Sequence, residues 1–146
     1  MIKQLLPLAL LSLLPLSAAQ AADTVTLHIV VTGLKTTTGT IRACVFKTPE
    51  HFPACDKGTA VVLANAPANA PTVKFDIPGV TPGTAAVSLF VDVDNSKKME
   101  RNFMGIPKEP IGVSNDATES FGAPKFEKAK FIAKEGETVT IKLRYY

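Results

Sequence analysis

The sequence predicts an all-β fold: an antiparallel, seven-stranded β-sandwich with one long irregular loop. Apolar residues recur at every second position in one short segment after another, and Gly and Pro pairs punctuate the gaps between them. No segment shows helical periodicity or the strand–helix–strand alternation of a parallel sheet. At 146 residues the chain suits one domain.

Taken in order, Met1 to Ala21 has the layout of a secretory signal peptide. Lys3 supplies a charged start, Leu5 to Leu16 an apolar run, and Ala19-Gln20-Ala21 a small-x-small cleavage site. The apolar run is interrupted by Pro7 and Pro15 and falls short of the roughly 20 residues that span a bilayer. Cleavage after Ala21 is therefore expected. It leaves residues 22–146 as a single domain with no transmembrane segment, exported to the periplasm or secreted.

The first strand is read over Thr24 to Val31, with Val25, Leu27, Ile29 and Val31 on one face and His28 on the other. Gly33 opens a turn. Thr40 to Phe46 follows, with Ile41, Ala43 and Val45 opposite Arg42, then a short run over Ala60 to Leu63 and a Pro/Asn/Ala linker over Asn65 to Pro71. Thr72 to Ile77 alternates cleanly, and Pro78-Gly79 and Pro82-Gly83 read as turns. Thr84 to Val91 is apolar on both faces, as a central strand would be. Lys128 to Ala133 and Thr138 to Tyr145 are the last two strands, joined by a turn at Glu135-Gly136-Glu137. A small membrane barrel is disfavoured, because its strands need about 9–11 residues and aromatic girdles, and the chain has no Trp.

Composition narrows the function. With 46% hydrophobic and 20% charged residues the chain is neither disordered nor fibrous. A formal charge of +3 with scattered lysines offers no footprint for nucleic acid. In an oxidising compartment Cys44 and Cys55 predict a structural disulfide, since their spacing is not that of a redox C-x-x-C or a zinc knuckle.

The excursion from Asp92 to Phe126 is far longer than the 12–15 or so residues at which an unstructured loop becomes uncommon and usually functional. It carries Gly105-Ile106-Pro107, Glu109-Pro110, Gly112 and Ser114-Asn115, and it ends on Gly122, Pro124 and Phe126 with Ala129 beyond. With the Pro82-Gly83 turn and the Asp- and Asn-rich start of the loop, this pattern resembles the exported bacterial family catalogued as domain of unknown function 2141 (DUF2141). The resemblance implies a sandwich of the transthyretin or immunoglobulin-like kind and no established activity. Its members carry an Asp-x-Asn-x-Asn-Gly-like loop, from which this chain departs at Lys97.

Asp92, Asp94, Ser96 and Glu100 fall at the first, third, fifth and ninth positions of an EF-type calcium loop. Lys97 stands where that loop needs Gly, and Phe103 where it needs the closing Glu, so a polar strand-end turn is the competing reading. Isolated His28 and His51 supply no nucleophile motif, and Glu109 has no evident acidic mate. The prolines and glycines of the excursion set its path, with Ile106, Ile111 and Phe121 pinning it to the sandwich. The expected function is non-catalytic: a binding or structural module of the periplasm or cell envelope, contacting an envelope protein or a glycan through this excursion. Glu109, Ser114 and Asn115 are its candidate contact residues and no cofactor is required. A calcium-stabilised module holding Ca²⁺ through Asp92, Asp94, Ser96 and Glu100 is one alternative, and an enzyme of unrecognised type is another.

Overall fold

A computed structural model describes residues 22–55 and 62–146. The expected leader and cleavage site, residues 1–21, and the start of the expected third strand at Ala60 lie outside the described residues. The described chain is all-β. Its strands are β1 (Val25–Thr32), β2 (Thr40–Phe46), β3 (Val62–Pro67), β4 (Thr72–Val80), β5 (Gly83–Asp92), β6 (Ile111–Val113), β7 (Phe131–Ala133) and β8 (Thr138–Lys142), and a single helical turn, α1, spans Phe126–Ala129.

They form two sheets. One runs β4-β1-β8; the other runs β3-β2-β5-β6, with β7 paired to the far end of β5. Leu27, Ile29 and Val31 of β1 and Ile141 of β8 join Ile41, Ala43 and Val45 of β2 and Val87, Leu89 and Val91 of β5 in one shared core. Each fully buried Leu, Ile or Val among them contributes about 1.5–3 kcal/mol. The alternation read along β1, β2 and β4 is thus the alternation between this core and the outer faces.

Strand β5 is apolar on both faces because it is covered on both. Its Ala86 packs on the outer side of the second sheet with Cys44, Phe46, Val113, Phe126 and Ala129. Cys44 and Cys55 are paired as a disulfide. The loop it closes lays Phe52 edge-on against Phe46 and Phe126, with ring centres 5.3 and 5.7 Å away.

Four expectations are corrected. Eight strands are present among the described residues, because the excursion contributes β6, whose three residues are too few to show alternation. The expected strand start at Lys128 is instead the end of α1, a turn that buries Phe126 and Ala129 three positions apart. The chain is not wholly antiparallel, since β1 and β8 pair in parallel. Pro78-Gly79 does not end its strand: β4 continues to Val80 through a bulge opposite Val25–Leu27. Proline's missing N–H is tolerated there because β4 is an edge strand, and Gly79 takes φ +77°.

Gly39 is the tightest backbone approach to the long loop. It has φ +91°, and a Cβ there would lie 2.3 Å from the Asp92 carbonyl oxygen. Gly39→Ala combines a left-handed strain of about 1–2 kcal/mol with an overlap of about 1–3 kcal/mol. Gly79→Ala, at φ +77° with nothing within 4 Å, carries the strain alone. Urea unfolding of the two variants is expected to show Gly39→Ala as the more destabilised. Equal losses would refute the close approach.

Candidate functional site

The excursion starts from a buried carboxylate. Asp92 is the last residue of β5 and is 0% exposed. On the neighbouring strand Arg42 stands diagonally across from it, since Thr40 is its direct partner and Phe90 is that of Arg42. Arg42 Nε donates to Asp92 Oδ2. Two backbone amides complete the shell: Ser96 N donates to Oδ1 and Lys97 N to Oδ2, both at 2.9 Å. The chain reaches this geometry through left-handed residues at Asn95 and Lys97. Asn95 is held in turn by the Thr40 hydroxyl, which donates to its Oδ1 at 2.6 Å.

Glu109 performs a second tie. It is 7% exposed; its Oε1 accepts from Val93 N at 3.2 Å and its Oε2 from Glu100 N at 3.4 Å. Both ends of the loop are thereby drawn to one side chain. Carboxylate oxygens of Asp92, Asp94 and Glu109 lie within 4.8 Å of one another. Burial pushes the Glu109 carboxyl above its ordinary value against the pull of the two amides, and the Asp92 and Asp94 charges add to the rise. Burial alone would raise Asp92 as well. The Arg42 bond, the Lys97 amide and the Arg42 charge outweigh it and hold Asp92 below its ordinary value.

The four expected calcium ligands are therefore not the group that the fold assembles. Glu109 takes the place expected of Glu100, which offers the cluster only its backbone amide. Ser96 hydrogen-bonds Asp92 and Asp94 through its own amide, while its hydroxyl donates to the Lys98 carbonyl. The two expected contact residues beyond Glu109 are both engaged with the chain, Ser114 buried and Asn115 at the surface. Ser114 is fully buried, accepts from Val87 N at 2.9 Å and donates to Ala129 O at 2.6 Å. Asn115 donates to the carbonyls of Lys128 and Lys130, bracing the end of α1. These two residues pin the excursion to β5 and α1. Phe121, expected to be a pin, is 95% exposed.

Between the excursion and the disulfide loop, over the outer face of the second sheet, lies a cleft of about 300 Å³. Phe90 and Cys55 belong to its base, and Met99, Arg101, Ile106 and Ala123 are among its walls. Such a volume falls at the lower end of small-molecule sites. Phe103, 97% exposed, and Met104, 67% exposed, stand on the same loop. Arg42, Arg101 and Met99 went unremarked as site residues in the sequence. Only the Met-Glu-Arg-Asn-Phe-Met run from Met99 to Met104 hints at the cleft, by placing large apolar groups and a cation in one exposed turn.

Among the described residues no helix is long and apolar enough to cross a membrane. A family model described as "Uncharacterized protein conserved in bacteria (DUF2141)" matches residues 29–142. No curated protein and no solved structure matches the chain.

The two buried carboxyls give stability opposite slopes with pH. From the ordinary Glu109 value of 4.5 up to its raised folded value, the folded chain binds more protons than the unfolded one, so stability falls as pH rises. The contribution of Asp92 is present above its ordinary value of 3.8 and is lost as pH falls through its lowered folded value. Urea unfolding across roughly pH 3 to 8 is expected to show a mildly acidic optimum. Glu109→Gln should flatten the limb above it while leaving the acid limb in place. An unchanged upper limb would remove Glu109 as its source.

Proposed function

The chain belongs to the uncharacterised bacterial family DUF2141, and from that premise we propose that it is an exported, non-catalytic binding module of the periplasm or cell envelope. Its sheets form a sandwich of the transthyretin or immunoglobulin-like kind, and residues 1–21 are the leader removed on export. The observation that carries the binding reading is the cleft itself. Part of the outer face of the second sheet is left as a cleft between two braced loops, with exposed Phe103 on one of them. A disulfide between Cys44 and Cys55 suits an oxidising compartment.

Binding is favoured over catalysis because the carboxylates are engaged as braces. Asp92, Glu109 and Ser114 are all buried in hydrogen bonds to the chain, and none of them lines the cleft. The neutral apolar dye N-phenyl-1-naphthylamine tests this reading. Saturable fluorescence enhancement is expected, together with its loss in Ala123→Trp, which fills the cleft wall while melting as the native chain does. No saturable enhancement, or enhancement indifferent to Ala123→Trp, would overturn the cleft as the binding site.

One observation favours a second reading, a calcium-stabilised module: three carboxylates drawn within 4.8 Å. Asp92 already has three donors, so the expected melting midpoint is the same in excess Ca²⁺ and in chelator. A midpoint that climbs with the logarithm of calcium concentration would instead establish the metal.

A further inference from the structure

We propose that the cleft takes a small amphiphilic anion, with an apolar or aromatic body lying on the sheet face and a carboxylate-type head held by Arg101. The inference rests on the binding reading above and deepens it by naming the ligand's chemistry.

Size bounds the body. At roughly 30 Å³ per water-sized group, a space of about 300 Å³ holds on the order of ten non-hydrogen atoms. That is too little for a folded partner and suits one bicyclic ring, the naphthyl group of the dye included with its phenyl ring outside, or a short alkyl chain. The lining favours apolar matter: Phe90, Ile106, Ile111 and Pro124, with the thioethers of Met99 and Met104, which adapt to irregular shapes.

Charge selects the head. Arg101 lines the cleft, and among the described residues no acidic side chain does. Its Nη1 donates to the Gly105 carbonyl at 3.0 Å, which aligns the guanidinium along the loop without neutralising it. Among the described residues Arg101 forms no ion pair, whereas Arg42, at the start of this loop, is neutralised by Asp92. Lys98, Lys108 and Lys125, each adjacent in sequence to a residue of the cleft wall, form none either. By the same adjacency Glu100, between Met99 and Arg101, also edges the cleft, so among the described residues four cationic side chains face one carboxylate side chain and the edge is net positive; the planar fork of an arginine matches a carboxylate in geometry as well as sign.

The test compares 2-naphthoate with its neutral isostere 2-naphthamide, titrated into the full mature domain by calorimetry and by amide chemical shifts. The expected result is naphthoate binding about tenfold tighter than naphthamide. Shifts should be centred on Ile106, Ile111 and Ala123, and the preference should weaken as salt is raised. Arg101→Gln, with an unchanged melting midpoint, should bring naphthoate down to the naphthamide level and leave naphthamide where it was. Arg101→Lys should retain part of the preference. Equal affinities in the native chain, or a preference that survives Arg101→Gln, would overturn the anion inference while the cleft stands. Failure of both naphthalenes where the neutral dye binds would overturn it as well. Failure of the dye too would fell the binding reading on which it rests.

Discussion

A carboxylate with no water around it has to be met by donors, and at Asp92 the three donors come from two places that the fold must bring together. One is Arg42, on the adjacent strand, and the others are the amides of Ser96 and Lys97, a turn ahead in the chain. Removing one partner from a buried ion pair costs several kcal/mol, whereas the intact pair contributes little net stability. The value of this arrangement is therefore conformational. The path by which the chain leaving β5 satisfies Asp92 is the one that crosses Gly39 and brings Val93 and Glu100 to Glu109.

From that tie the outer face of the second sheet follows. Glu109 returns the chain to β6, Ser114 and Asn115 fasten it to β5 and α1, and the segment between the two ties stands off the sheet. The disulfide loop covers the other part of the same face through Phe52. The cleft is what these two coverings leave between them. Its walls are loops, but the residues that hold the loops in place are buried and hydrogen-bonded, so the space is preorganised rather than left to collapse on a ligand.

Much of the sheet structure was legible in the sequence because a strand with one face in the core must alternate, as Val73, Phe75 and Ile77 do. The two-sided apolarity from Thr84 to Val91 likewise announced a strand covered on both faces. Elements of three or four residues, β6 and α1, are too short for any period to show. The partners at the site were hidden for a different reason. Arg42 meets Asp92 only through the register of β2 on β5, and Glu109 meets Asp94 only after the chain has doubled back. Local spacing pointed instead to Glu100, an acid at the right interval whose amide is used. It also cast Phe121 as an anchor on hydrophobicity alone, where its exposure shows that the anchoring falls to polar groups.

The parallel pairing of β1 with β8 has a consequence for how the molecule is made. β1 is the central strand of its sheet and is synthesised before every other strand described, yet one of its edges has no partner until Thr138 to Lys142 has emerged. Pairings so distant in sequence carry a high loop-closure cost and form late. Until β8 has emerged the shared core lacks Val139 and Ile141, and Leu27, Ile29 and Val31 are less fully covered and can engage other chains. An architecture that closes its first sheet on β8 leaves one edge of β1 open until residues 138–142 are present, and an unpaired edge of that kind is a template for pairing with another chain.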